Sequence, residues 1–185
     1  NDEGLAEKMS LHRSHGITRD EKLMTHAPDG PWYYQQVALG FNYRMTDMQA
    51  ALGLSQMLRL DECVSIRNHL ADEYDSQLSD LPIVTPWRHP DTYSARHLYV
   101  IRLKVKEIKS SHREVFDELL KNGIGVNLHY IPVYRQPYFQ TNLKYLSCFN
   151  EADAYYEEAI SIPLYTSLRP SLQNQVVNAL KFALR

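Results

Sequence analysis

The chain has 185 residues and a formal net charge of −2, with 44% hydrophobic and 23% charged residues. This composition is ordinary for a soluble globular protein with one full core, and it offers no basic excess for nucleic acid or an anionic membrane. No apolar run approaches the roughly 20 residues that span a bilayer, and no secretory leader is visible. Cys63 and Cys148 lack metal-type spacing. A disulfide between them stays open, but a reducing, cytoplasmic compartment suits the chain better. The 13 tyrosines cluster in 32–43, 130–138 and 155–165. Tyrosine suits surfaces that are apolar on one side and wet on the other. The chain opens on Asn-Asp-Glu-Gly without Met and reads as if cut from something longer.

Residues 3–14 predict a short helix, with Leu5, Met9 and His12 at helical spacing and Gly16 as its stop. The charged stretch 17–31, with Pro28 and Pro31, predicts a loop. The aromatic stretch 32–42 predicts an extended segment of undefined register. A period near 3.6 from Met48 to Leu78 predicts a long helix that bends, breaks near Asp61 or links two packing regions. Leu81-Pro82 ends it, and Pro86 and Pro90 mark a connector. His97–Val105 alternates as a strand with Tyr99, Ile101, Leu103 and Val105 on one face. Ser111 with Glu114 is a capping box, and Gly123 stops the helix it opens. Ile124–Tyr130 predicts a second strand, with Gly125, Asn127 and His129 on its polar face. A Pro- and Tyr-rich loop follows over 131–148. Asn150 predicts a helix cap over 151–159, Ser161–Tyr165 a short extended piece, and Pro170 the start of a last helix. A long helix followed by alternating strands and helices argues for an α/β fold with helices packed on a small sheet.

Two polar edges stand out. In Gly40-Phe41-Asn42-Tyr43-Arg44-Met45-Thr46-Asp47-Met48-Gln49, Thr46 and Gln49 form a capping box. Asn42 and Arg44 therefore sit just outside a helix N-terminus, which favours an anion. The amide can donate to a phosphate, and the guanidinium fork fits a carboxylate or phosphate. The plainer reading is a capped helix with a surface arginine. The second edge is Asn127, His129 and Tyr130, for which a structural role is the plainer reading. His12 and His15 lack the partners of a tetrahedral metal set, and no metal site is expected. The chain has no dinucleotide fingerprint, P-loop or nucleophile elbow.

These residues resemble a known family. Gly40–Gly53 resembles the G-x-N-x-R-x-x-x-x-Q-A-A-L-G segment of the DegT/StrS sugar-nucleotide aminotransferases. Arg13-Ser14-His15-Gly16 is similar to the stretch just beyond that family's cofactor lysine. Ile124–Tyr134 resembles its C-terminal substrate strand, and Ser161-Ile162-Pro163-Leu164-Tyr165 its usual ending. The motifs occur in family order over essentially the whole chain. His129-Tyr130-x-Pro132-x-Tyr134 with Arg13–Gly16 is most similar to the branch serving pseudaminic acid synthesis.

The resemblance implies the C-terminal portion of a fold-type-I, pyridoxal-phosphate-dependent homodimer. Residues 1–45 would be the tail of the large cofactor domain and an interface arm, 46–80 a linking helix, and 81–185 the small α/β domain. The implied reaction moves an amino group from glutamate to C4 of a UDP-linked 4-keto-6-deoxy-N-acetyl sugar. Asn42 matches a residue that reaches the cofactor phosphate across the dimer. Arg44 matches an arginine near the donor carboxylate or substrate. Asn127, Leu128, His129 and Tyr130 match the sugar-nucleotide lining, with Leu128 acting through its backbone. The family lysine precedes Asn1, so the chain alone is expected to be inactive, with no catalytic residue of its own and no covalently bound cofactor. Two alternatives remain: a dehydratase of the same family, with histidine in place of the lysine, and a non-catalytic binding or dimerisation module. The residues encoded upstream of Asn1 discriminate them.

Overall fold

The computed structural model describes residues 1–142 and 149–185, which form two compact units, Asn1–Leu58 and Arg59–Arg185. Cys148 lies outside the described residues, so the open question of a disulfide is not addressed. Helix α1 spans Glu3–Arg13 in the first unit, and Asp2 caps it by accepting from the Leu5 N–H at 2.9 Å. Gly16 follows the helix at φ +70°, a left-handed conformation that glycine adopts without strain. The loop expected over 17–31 contains strand β1, Ile17–Thr18, and a 3₁₀ turn, Glu21–Leu23. Only Gln35–Gln36 of the aromatic stretch forms a strand, β2. It runs antiparallel to β1, with Ile17 opposite Gln36 and Thr18 opposite Gln35. Helix α2, Asp47–Met57, starts at the Thr46–Gln49 capping box, and none of its residues is buried.

Among the described residues, every buried hydrophobic side chain lies between Leu70 and Leu184. The first unit therefore has no apolar core of its own. Backbone hydrogen bonds give it its shape.

The apolar period over 46–78 resolves into two helices. Leu58 and Arg59 separate α2 from α3, Leu60–Gln77, just ahead of Asp61. The connector after Pro82 includes a short strand, β3 (Ile83–Val84), that sequence reading missed. Strand β4 is Tyr99–Leu103, and β5 is Ala159–Ile162. They form an antiparallel sheet in the order β3-β4-β5, with Ile83 opposite Leu103 and Tyr99 opposite Ile162. Tyr99, Ile101 and Leu103 enter the core as the alternation predicts, whereas Val105 lies beyond the strand and is exposed. They share the core with Leu70 and Tyr74 of α3, Val115 and Leu119 of α4 (His112–Lys121), and Val176 and Leu180 of α7 (Pro170–Ala183). Gln173 of α7 is buried and donates to the Leu70 carbonyl at 2.8 Å, tying α7 to α3.

Three local expectations are corrected. Residues 124–130 form no regular strand. Only Asn127 pairs, with Ser161, because the Leu128 N–H turns to Asn127 Oδ1 at 2.8 Å. The Pro- and Tyr-rich segment contains a short helix, α5, Pro137–Asn142. Helix α6, Asn150–Glu158, begins at Asn150 itself, with Phe149 at the cap position and no side-chain cap bond. Gly123, at φ +74°, closes α4 as expected: the Ile124 N–H bonds the Leu119 carbonyl at 3.0 Å.

Candidate functional site

The two polar edges fall in different units, and each is built by its own elements. In the first unit, residues 37–43 run against the C-terminal end of α1. A helix end leaves carbonyls without partners. Here the Phe41 N–H reaches the His12 carbonyl at 2.7 Å, and the Tyr43 N–H reaches the Arg13 carbonyl at 2.9 Å. The His15 N–H returns a bond to the Phe41 carbonyl at 2.8 Å, and the His12 Nδ1–H donates to the Leu39 carbonyl at 2.9 Å. Asn42 lies between the two clamped residues and bridges to Ser14.

This clamp sorts the side chains. Phe41 and Tyr43 stack, with centroids 4.9 Å apart and planes 11° from parallel. They line a mostly apolar cleft of about 640 Å³ with Met9 and His12. Alternation along an extended segment puts Asn42 and Arg44 on the opposite face. Arg44 lines a different cleft, of about 330 Å³, with Ser14, His15, Ile17, Arg19 and Tyr34. Neither Arg19 nor Arg44 makes an ion pair among the described residues. Two free guanidinium groups on one cleft form a donor set for a carboxylate or phosphate.

The helix terminus contributes less than the sequence argument assumed. The Thr46 and Gln49 N–H groups are used within the capping box, and Asp47 places a negative charge in the first turn of α2. Sequence reading did not single out Arg19 or Tyr34. Only the pairing of β1 with β2 brings them near Arg44, and two-residue strands leave no periodic signal.

In the second unit, Asn127 exchanges backbone hydrogen bonds with Ser161, at 3.2 and 2.7 Å. His129 Nδ1 and Ser161 Oγ share a hydrogen bond of 2.7 Å. Ser161 is only 5% exposed, so the imidazole is anchored on the sheet. The Tyr130 ring meets the His129 ring edge to face at 4.7 Å and is itself 72% exposed. The segment after Tyr130 is tied to α6. The Tyr134 hydroxyl donates to Asp153 Oδ1 at 2.5 Å, Arg135 pairs with the same carboxylate, and its guanidinium lies 4.9 Å from the Tyr156 ring centroid. The Tyr134 hydrogen bond, and then Arg135, hold the Asp153 carboxyl below its usual range. The structure thus brings Asn127, Leu128, His129 and Tyr130 together on one edge of β5. Ser161, which orients the imidazole, was visible in the sequence only as part of a closing motif.

Comparisons with known proteins identify the family. The model of the DegT/DnrJ/EryC1/StrS aminotransferase family matches residues 1–181. The spore coat polysaccharide biosynthesis protein SpsC of Bacillus subtilis is 33% identical over 183 residues, covering 97% of this chain and 47% of that protein. The UDP-4-amino-4,6-dideoxy-N-acetyl-beta-L-altrosamine transaminase of Helicobacter pylori is 32% identical over 185 residues, covering 98% of this chain and 46% of that protein. Helicobacter pylori PseC, an aminotransferase in pseudoaminic acid biosynthesis, superimposes with a TM-score of 0.85 at 28% identity, over 100% of this chain and 47% of its own. Spr1654 of Streptococcus pneumoniae, assigned as a sugar aminotransferase and solved in a pyridoxal phosphate form, gives a TM-score of 0.83 at 27% identity, over 99% of this chain and 44% of its own. The chain thus spans about half the length of these relatives. Aminotransferases of this family use pyridoxal phosphate. On the family match along nearly its whole length, the chain belongs to the DegT/DnrJ/EryC1/StrS aminotransferase family.

Proposed function

We propose that the chain is the C-terminal part of a homodimeric sugar-nucleotide aminotransferase. The reaction transfers an amino group from glutamate to C4 of a UDP-linked 4-keto-6-deoxy-N-acetyl sugar, for surface glycan synthesis. Pyridoxal phosphate, when bound to the whole enzyme, supplies the electron sink for that exchange. The lysine that holds it is assigned to sequence outside these residues, so the chain alone is inactive. In this reading residues 1–45 complete the cofactor domain and an interface arm, 46–80 link, and 81–185 form the small domain.

The donors of the first unit suit anionic groups: the cofactor's phosphate at Asn42, and a substrate carboxylate or phosphate at Arg44. Asn42 offers an amide on a clamped backbone, and Arg44 and Arg19 make no ion pair among the described residues. Asn42 donates to the phosphate of the neighbouring site. Arg44 orients an anionic group, the donor carboxylate or the sugar nucleotide. In the second unit, Ser161 fixes the His129 ring through Nδ1 and leaves Nε2 for a polar group of the sugar. Tyr130 lends an exposed ring to the same edge.

The observation that carries the reading is the clamp of Phe41 and Tyr43 on α1, which holds Asn42 and Arg44 on one face. Its test uses the chain extended upstream through its reading frame. Asn42→Ala weakens pyridoxal phosphate binding about tenfold, the loss of one charge-assisted hydrogen bond. Arg44→Ala raises the KM for glutamate or sugar nucleotide while cofactor binding holds. Wild-type values in both variants contradict the assignment.

A further inference from the structure

The segment between β3 and β4 walls a cavity of about 470 Å³, with Trp87, Arg88, His89, Thr92, Arg96 and His97 in its lining. It lies wholly in the second unit and shares no residue with the edge at 127–130.

The cavity is a built one. Arg88 Nη2 donates to Asp72 Oδ1 at 2.6 Å and to Asp75 Oδ2 at 3.2 Å. Asn68 Nδ2 donates to the Ser94 carbonyl at 2.9 Å. These bonds pin the segment to α3 near both of its ends. Between them, the Thr92 N–H and hydroxyl both donate to the His89 carbonyl, at 3.1 and 2.9 Å. Trp87 meets the His89 ring edge to face at 5.8 Å.

Arg96 is the group this arrangement leaves unmatched. It is 5% exposed, and its Nε and Nη2 have no hydrogen-bond partner among the described residues. Burial pushes its guanidinium below the ordinary range, and Arg88 adds to that, while Asp75 and Asp72 oppose it. A buried guanidinium is ordinarily paired. The nearby carboxylates already have partners: Asp72 and Asp75 accept from Arg88, and Asp75 also accepts from the Tyr99 hydroxyl at 2.5 Å. None of these bonds reaches Arg96 Nε or Nη2, and Arg96 stands in the wall of the cavity. His97 and the Nε2 side of His89 add donors at the cavity, whereas His89 Nδ1 accepts from the Asp91 N–H at 3.2 Å, the Thr92 hydroxyl is spent on the His89 carbonyl, and Asp91 opposes from 3.8 Å beside His89. A guanidinium with imidazole donors beside it suits an oxyanion such as phosphate.

We propose that this cavity binds the phosphate group of a small phosphorylated molecule, with Arg96 as its anchoring donor and His97 at its mouth. The inference does not rest on transamination, and its test reads no activity. Trp32→Phe leaves Trp87 as the sole tryptophan of the 185-residue chain. Inorganic phosphate, titrated at constant ionic strength, produces a saturable change in Trp87 fluorescence. Sodium glutamate over the same range does not. Arg96→Met on that background weakens the response about tenfold or more. Arg113→Met, at a side chain 90% exposed on α4, leaves it unchanged. If circular dichroism shows that Arg96→Met does not fold, Arg96→Lys and the exposed His97→Gln carry the test, each weakening the response about threefold or more. A response that is absent, matched by glutamate, or unchanged in the folded variants overturns the proposal.

Discussion

Gly40 lies against Gly16 so closely that a methyl group on Gly40 would sit 2.2 Å from the Gly16 nitrogen. The contact is reinforced from the other side, since a methyl on Gly16 would sit 1.8 Å from the Ala38 carbonyl oxygen. Only two glycines allow the 37–43 segment to close on the end of α1. The clamp that presents Asn42 and Arg44 depends on that closure. Gly40→Ala is therefore expected to open it, at a cost of about 1–3 kcal/mol in overpacking. Amide hydrogen exchange reads the effect locally: Phe41 and Tyr43 lose protection while Ile101 and Leu119 keep theirs. Unchanged protection at Phe41 contradicts the clamp.

The first unit exposes the apolar side chains it would need for a core. Met48 and Leu58 are 83% exposed, Trp32 and Tyr43 72%, and Leu39 85%. Exposed apolar patches beyond a few hundred Å² drive association. The isolated chain is expected to self-associate with rising concentration in sedimentation velocity, and Met48→Asp with Leu52→Asp to weaken that association. A monomeric profile at high concentration counts against the patch.

Tyr74 and Tyr99 set an alkaline limit on the second unit. Burial raises both phenols well above the ordinary tyrosine range, with the Asp75 hydrogen bond adding to the rise at Tyr99. The fold therefore favours the neutral form. That stabilisation is complete below the unfolded-state value of about 10 and is lost as pH rises above it. Urea midpoints followed by circular dichroism should hold up to about pH 9 and fall beyond pH 10. Tyr99→Phe should flatten that fall while lowering stability near neutrality by about 1.5–3 kcal/mol, the worth of a hydrogen bond to a carboxylate.

Ser161→Ala separates orientation from folding at the second edge. The backbone pairing of Asn127 with Ser161 survives, while the His129 Nδ1 partner is lost. The expected stability cost is about 1 kcal/mol. Imidazole nitrogen NMR should report a changed tautomer balance at His129. An unchanged His129 spectrum contradicts the anchoring role of Ser161.

Much of the second unit was legible because its signals are periodic and local. The alternation of Tyr99, Ile101 and Leu103, the Ser111 capping box, Gly123 and Pro170 each specify structure within a few residues, and each acts as expected. The 124–130 segment failed for a physical reason: its alternation is real, but Asn127 spends its side chain on the Leu128 N–H and ends the pairing. Residues 32–42 are extended as expected, but their partners were not legible. Their aromatic and β-branched content reads as extended, and Gln35–Gln36 does pair, but the C-terminal part is a strap held by the His12 carbonyl, 29 residues from Phe41, and by the His12 side chain, 27 residues from Leu39. At the candidate site, Asn42, Arg44 and His129 stood out by residue type. Arg19, Tyr34 and Arg96 did not, because only the folded loops bring them to a cleft or leave them unpaired.

The most direct measurement of the central claim is the visible absorbance of the chain and of its upstream-extended form, each mixed with pyridoxal phosphate. A lysine-bound cofactor band is expected in the extended protein, bleached by glutamate, and none in the 185 residues alone. An extended protein with no such band, or with one that glutamate leaves untouched, would contradict the aminotransferase reading.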